Sequence, residues 1–173
     1  MARVVRDWRR VRATALNHVS ISATDLEEST LFYERVFGMQ RIPTPRFKDA
    51  TVQWLRVGGL QLHIFAEDVA APRRHHIGLT VDDFDAAYEA VKGLSSAEFG
   101  WQLVELPSGQ LQLYFRDPGG NLIELNWADV RTIDRSRYPE LIRLEDEVPQ
   151  PPTAHGARLY LDDAERDTVL ARS

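Results

Sequence analysis

Polar and apolar residues alternate along two short stretches of the chain in the way a half-buried strand requires. These stretches are NHVSIS, residues 17–22, and HHIGLTV, residues 75–81. Each is followed by an Asp-containing turn and then by a segment with helical periodicity, LEESTLFYERVFG in the first case and FDAAYEAVKGL in the second. Because Asp25 and Asp83 directly precede these segments, we predict that the two aspartates cap the N-termini of two helices.

The two strand and helix units belong to an internal repeat. NHVSISATDLEES (17–29) aligns with HHIGLTVDDFDAA (75–87) at an offset of 58, and QWLRVGGLQLHIF (53–65) aligns with YFRDPGGNLIELN (114–126) at an offset of 61. The pairs Gly58-Gly59 and Gly119-Gly120 coincide, and a Gly-Gly pair between two apolar runs is typical of a hairpin turn. The repeat predicts an α+β domain over residues 15–127, built from two βαβββ modules at 15–66 and 74–127.

Strand alternation predicts which way the side chains of this repeat point. Val19 and Ile21 share the face that packs under the first helix, which puts His18 on the opposite face. The same register in the copy selects His76 rather than His75, for which we expect a structural role. His63 and Glu124 match each other in the last strands of the two modules. If the modules pair about a pseudo-twofold axis, their sheets form a curved cup with these four side chains on its concave face.

The four cup residues form a ligand set of nitrogen and oxygen atoms without sulfur. Such a set suits Fe(II), Mn(II), Ni(II), Co(II) or Zn(II), and two histidines with one carboxylate leave open positions for a substrate. Any one of these histidines alone is readily explained as a polar residue on a half-exposed sheet. The occurrence of all four at symmetry-matched positions favours a metal. His155, far along the chain, is expected to have no role.

Composition limits the function further. The 173 residues carry a formal net charge of -5 and include no cysteine. These values argue against nucleic acid as the main partner and against a disulfide or zinc-finger scaffold. Residues 1–14 form a basic arm without the apolar run of a signal peptide, and no stretch is long and apolar enough to span a membrane. We therefore expect a cytoplasmic protein that binds a small molecule and neither nucleic acid nor a membrane.

The composition changes after Trp127. Residues 128–173 contain an acidic run, a PQPP break and only one short apolar run, ARLYL. This segment has too little apolar content to build a second core. We expect it to be a helix or an arm that wraps the partner subunit of a homodimer or the rim of the cup.

Four segments, LNHVSI, LFYERVFGM, HHIGLTVDD and YFRDPGGNLIELNW, resemble the vicinal oxygen chelate superfamily. This superfamily includes glyoxalase I, type I extradiol dioxygenases, methylmalonyl-CoA epimerase and fosfomycin-inactivating thiol transferases. The resemblance covers residues 15–127 and implies the glyoxalase/bleomycin resistance/dioxygenase fold. It also implies that the metal triad is His18, His76 and Glu124.

The same resemblance suggests roles for two further residues. HIFAEDVAAPRRHHIGL is similar to a segment of extradiol dioxygenases whose histidine is an acid/base, which implies that role for His63. Tyr114 resembles the tyrosine that touches the iron-bound substrate oxygen in those enzymes. These matches favour an Fe(II)-dependent dioxygenase acting on a catechol-like substrate, and the aromatic residues Trp54, Phe65, Trp101 and Phe115 suggest an apolar or aromatic substrate.

Two alternatives stay open. VELPSGQLQ, residues 104–112, lacks the further His and the Asp or Asn usual before the tyrosine of extradiol enzymes. In glyoxalase I and in the epimerase, the position matching His63 resembles a fourth metal ligand. A metal-dependent lyase or isomerase with His63 as a ligand is therefore the first alternative. A metal-free protein that binds a small drug is the second.

Overall fold

The computed structural model describes residues 16–69, 72, 74–94 and 102–157. The basic arm, Trp101 and the end of the tail lie outside these residues. Module one consists of five elements: β1 (His18–Ala23), α1 (Leu26–Phe37), β2 (Gln40–Ile42), β3 (Val52–Val57) and β4 (Leu60–Ala66). Its sheet has the order β1-β4-β3-β2, and β1 is parallel to β4 while the other pairs are antiparallel.

Module two repeats this plan. It consists of β5 (His76–Thr80), α2 (Phe84–Val91), β6 (Leu103–Glu105), β7 (Leu111–Arg116) and β8 (Leu122–Trp127). A ninth strand, β9 (Ile142–Arg143), extends the sheet to the order β5-β8-β7-β6-β9. The predicted α+β class and the repeated βαβββ order are confirmed.

Both predicted helix caps are present. The side chain of Asp25 accepts a hydrogen bond from the backbone N–H of Glu28, and that of Asp83 accepts one from Ala86, each at 2.9 Å. α1 is capped at its C-terminus by Gly38, whose φ of 61° lies in the left-handed region that glycine adopts without steric cost. The local sequence therefore fixes where the helices begin, as predicted from the Asp-containing turns.

The alternation of each strand also places its side chains as predicted. One face of each sheet packs into a shared core with α1 and α2; from β4 it contributes Leu62 and Ile64, and from β8 Ile123 and Leu125. Phe115 belongs to this core and contacts Phe32 and Phe37 of α1. Phe115 was one of the aromatic residues that suggested an aromatic substrate, but it cannot contact one in the cup, because Phe115 and its neighbour Tyr114 point to opposite faces of β7.

The two modules are joined by a buried polar contact. The hydroxyl of Tyr33 on α1 donates to the carboxylate of Asp117 in the turn after β7, at 2.7 Å. The side-chain amide of Asn121, at the end of the same turn, donates to the backbone oxygen of Ser22 at 2.8 Å. The β7–β8 turn of module two is thereby fixed against the end of β1 in module one.

The described part of the tail folds back on its own module. Tyr138 is 2% exposed and packs against the rings of Phe84 and Tyr88. Asp85 pairs with both Arg137 and Tyr138, and β9 pairs in parallel with β6. Residues 137–143 of the tail therefore extend module two, while the expectation that the tail wraps a partner subunit or the rim of the cup stays a prediction. In the described ranges, no helix is both long and apolar enough to cross a membrane.

Candidate metal site

Module one contributes two histidines from neighbouring strands. His18 on β1 and His63 on β4 are stacked with ring centroids 4.4 Å apart, and Trp54 on β3 stacks on His63 at 4.3 Å. Because β4 lies between β1 and β3, the His63 ring is held between the other two rings. Its Nε2 lies 2.9 Å from the side-chain oxygen of Gln61. The His63 ring therefore has little freedom to rotate.

Burial controls the charge of this histidine. His63 is 7% exposed, whereas His18 is exposed. Burial lowers the pKa of His63 below its ordinary value, and the adjacent His18 lowers it further. The His63 imidazole is consequently neutral near pH 7, and a neutral imidazole has one nitrogen that can bind a metal or accept a proton.

Module two contributes a histidine and a carboxylate. His76 Nε2 on β5 lies 3.2 Å from Oε2 of Glu124 on the adjacent β8, and Glu124 is 4% exposed. Nδ1 of His76 lies 2.9 Å from the backbone oxygen of Arg74. A carbonyl oxygen can only accept a hydrogen bond, so Nδ1 carries a proton in this contact.

Two side chains of β7 hold the Glu124 carboxylate. The hydroxyl of Tyr114 donates to Oε2 at 2.6 Å, and the side-chain amide of Gln112 donates to Oε1 at 2.9 Å. Burial and the nearby carboxylate raise the pKa of Tyr114 far above its ordinary value, so the phenol keeps its proton and remains a donor. Such outer hydrogen bonds orient a metal ligand. Tyr114 thus supports Glu124, while its predicted contact with a substrate stays a prediction.

The donor atoms of His76 and Glu124, the pair in module two, are chemically suited to a cation. Nδ1 of His76 is turned to the backbone oxygen of Arg74, so Nε2 is the nitrogen that faces a carboxylate oxygen 3.2 Å away. A ring nitrogen and a carboxylate oxygen this close share either a proton, as in an ion pair, or a metal ion. The histidine nitrogen and carboxylate oxygen suit a borderline divalent metal. The residues present therefore fit the metal that the sequence predicts.

One chain does not bring the two pairs together. Within the described ranges, no group of three or more His, Asp or Glu side chains is arranged to hold a metal ion. His18 and His63 line one cavity of about 560 Å³, together with Asn17, Phe47, Trp54 and Gln61. His76 lines a different cleft of about 590 Å³, between β1 and β5. Each module thus holds half of the predicted ligand set, and the triad remains a prediction.

The remaining histidines, His75 and His155, belong to neither pair. His75 lines the same cleft as His76, and Nδ1 of His155 lies 2.9 Å from the backbone oxygen of Pro107. Three residues that contact or face the site were not among the predicted site residues: Gln61, Gln112 and Phe47. Alternation could have identified the two glutamines, since each lies two residues from a predicted site residue on the same strand. Phe47 lies in a loop, where no periodic pattern applies.

Two βαβββ modules that present histidine and carboxylate pairs from their first and last strands define one structural class. The family model described as the Glyoxalase/Bleomycin resistance protein/Dioxygenase superfamily matches residues 15–125. The chain belongs to this superfamily, and the resemblance seen in the sequence is confirmed.

Named relatives show which activities occur among similar chains. "Glyoxylase I 4" of Arabidopsis thaliana is 26% identical over 81% of this chain and 89% of its own length. "Metallothiol transferase FosB" of Lysinibacillus sphaericus is 31% identical over 72% of this chain and 88% of its own. The structure of the fosfomycin resistance protein FosX from Listeria monocytogenes, complexed with Mn(II) and sulfate, matches with a TM-score of 0.54 at 20% identity, covering 69% of this chain and 97% of FosX. That structural match shows the shared fold alone.

Proposed function

We propose that this protein is a divalent-metal-dependent enzyme in which two copies share each metal. His18 and His63 of one copy and the partner's His76 and Glu124 are the ligands. The observation that carries the proposal is the contact between His76 and Glu124, a nitrogen and a carboxylate oxygen that lie 3.2 Å apart on adjacent strands. The described part of one chain offers this pair no third ligand. A second copy, related by a twofold axis, would provide the missing histidines.

The packing of His63 supports the role of fourth ligand. Stacking between His18 and Trp54 fixes its ring plane, and burial keeps it neutral. A metal held by four such groups would supply Lewis-acid activation of a small substrate bound through two neighbouring oxygen atoms. We therefore favour a lyase or isomerase of the glyoxalase type, which agrees with the glyoxylase among the relatives.

The Fe(II)-dependent dioxygenase is the second candidate. A buried, neutral His63 next to His18 is also what an acid/base requires, because it can take a proton from a hydroxyl group of the substrate. In that case His63 would not bind the metal. The two candidates therefore differ in the metal they need, in oxygen consumption and in what His63 does.

One experiment separates these functions. Wild type, His63→Ala and the matched control His75→Ala are purified without oxygen; the metal content of each is measured by elemental analysis, and oxygen uptake is followed with a catechol. We expect about one divalent metal per chain in wild type and in His75→Ala, loss of most of it in His63→Ala, and no oxygen uptake. Iron retained in His63→Ala, with oxygen uptake by wild type, would establish the dioxygenase instead. Wild type without any metal would overturn both enzymatic proposals.

A further inference from the structure

The tail adds apolar side chains to the face of sheet two that carries Glu124. β9 lies along β6 in parallel, with Ile142 opposite Val104. Ile142 and Leu144 pack against a cluster formed by Val104, Tyr114 and Leu122, which are 1%, 6% and 1% exposed. The tail therefore covers side chains on the same face as the candidate metal ligand.

Tyr114 connects this cluster to Glu124. It belongs to the cluster that the tail covers, while its hydroxyl donates to the Glu124 carboxylate at 2.6 Å. A hydrogen bond this short depends on the position of the donor, so a shift of the ring would lengthen or break it. Tyr114 thus contacts both the cluster on which the tail packs and the carboxylate that it orients.

The tail is also anchored by charge. Glu105 on β6 pairs with Arg135 and, at 3.7 Å, with Arg143. The neighbouring Leu141 packs against the main hydrophobic core instead of the cluster around Tyr114. Leu141 and Leu144 therefore have the same chemistry and lie three residues apart, but they contact different parts of the molecule.

We propose that Ile142 and Leu144 are positioning residues that hold Tyr114, and through it Glu124, in place for metal binding. The consequence for the metal rests on the function proposed above. The docked tail is then a fixed part of the site rather than an arm that opens and closes over it. Loss of tail packing weakens metal binding even though neither residue is a ligand.

A double-mutant cycle tests this role. The affinity for Mn(II) is measured by titration calorimetry in wild type, Leu144→Ala, the milder Ile142→Val, Tyr114→Phe, the double variant Leu144→Ala/Tyr114→Phe, and the control Leu141→Ala. Tyr114→Phe should weaken binding by about 10- to 100-fold, the usual effect of removing a group that orients a ligand. Leu144→Ala should weaken it by a similar factor and Ile142→Val by less, whereas Leu141→Ala should leave it unchanged.

The cycle distinguishes positioning from general packing. In the Tyr114→Phe background, Leu144→Ala should cause no further loss of affinity, because its effect passes through the missing hydroxyl. Losses that multiply, or an equal loss in Leu141→Ala, would overturn the inference.

A readout on metal-free protein separates this inference from the proposed function. Tyrosine is replaced by 3-fluorotyrosine, and the ¹⁹F resonance of Tyr114 is assigned by its absence in Tyr114→Phe. If wild type binds no metal, the proposed function fails, and this resonance decides the role of the tail. A shift in Leu144→Ala but not in Leu141→Ala supports positioning of Tyr114, and an unmoved resonance overturns it.

Discussion

Asp117 is a buried carboxylate that links the two modules, and its burial disfavours the charged form of the side chain. It is 4% exposed and accepts hydrogen bonds from Tyr33, from the Asn121 side chain and, at 2.7 Å, from the Asn121 backbone N–H. Burial raises the pKa of Asp117 above its ordinary value, although these hydrogen bonds act in the opposite direction. The folded protein therefore binds a proton at Asp117 more tightly than the unfolded chain does.

This raised pKa makes a prediction about stability and pH. A group whose pKa is higher in the folded protein stabilises the fold at low pH. Its contribution to the free energy of unfolding is complete below the pKa of the unfolded chain and is lost as the pH rises through the pKa of the folded protein. The free energy of unfolding of wild type, measured by urea denaturation relative to Asp117→Asn, should fall as the pH rises above 3.8, the ordinary pKa of an aspartate. A difference that grows over this range would show that the hydrogen bonds outweigh burial.

For the residues of the candidate site, strand alternation predicted which face of the sheet each side chain occupies. Alternation selected His76 over His75 and placed Glu124 and His63 on the face opposite the core. It could not show that the hydroxyl of Tyr114 binds Glu124, because that contact joins two strands whose register depends on the turn between them. The sequence of one strand determines which face of the sheet a side chain occupies. Which residue that side chain contacts depends on how the strand pairs with its neighbour.

At the scale of elements, the two hairpin turns differ although their glycines align. In the first turn Gly58 has a φ of 53°, and in the second Gly120 has a φ of 82°. A Cβ on Gly119 would lie 3.0 Å from the Ala23 side chain and from the backbone oxygen of Ser22. A Cβ on Gly59 would meet no atom within 4 Å. The second turn therefore needs glycine in order to pack against β1.

This difference gives a paired prediction. Gly119→Ala should lower the free energy of unfolding by about 1–3 kcal/mol, because the added methyl group pushes the turn away from β1. Gly59→Ala, the matched change in the other module, should be close to neutral. Thermal and urea denaturation measure both variants. Equal effects of the two substitutions would show that the close approach at Gly119 does not determine stability.

The tail is the element that sequence reasoning described least well. A two-residue strand such as Ile142–Arg143 has no alternating pattern that could be recognised. Its pairing follows from the free edge of β6, which exists only after the sheet has formed. The low apolar content of the tail suggested an arm, yet a few apolar side chains suffice when a preformed sheet provides the surface.

At the scale of the whole molecule, the repeat predicted the fold but not the assembly of the site. Two aligned copies specify two similar modules, and each module needs a packed partner for its helix face. The distance between the two histidine-containing pairs depends instead on how the modules pack and on any second copy. The packing of the modules and the presence of a second copy are not encoded in a local sequence pattern. The sequence therefore could not show whether the predicted cup forms within one chain or between two chains.

Mixing two inactive variants tests whether sites are shared between copies. His18→Ala and Glu124→Ala damage different halves of the ligand set, so each variant alone should lack metal and activity. If sites lie between subunits, unfolding and refolding the two together should restore about one quarter of the wild-type sites, because half of the dimers are mixed and each has one intact site. A mixture of His18→Ala with His63→Ala, whose lesions lie in the same half, is the control and should restore none. Absence of recovery in both mixtures would locate each site within one chain.

The stack of Trp54 on His63 gives this protein a fluorescent reporter of its own candidate site. Indole emission responds to groups in van der Waals contact with the ring, and the rings of Trp54 and His63 are nearly parallel, at 7°. Trp127, the other tryptophan of the described chain, instead donates to Thr132 and packs on Phe84. Any event that changes the electronic state of His63, whether coordination or proton transfer, therefore alters the light emitted by the indole stacked on it.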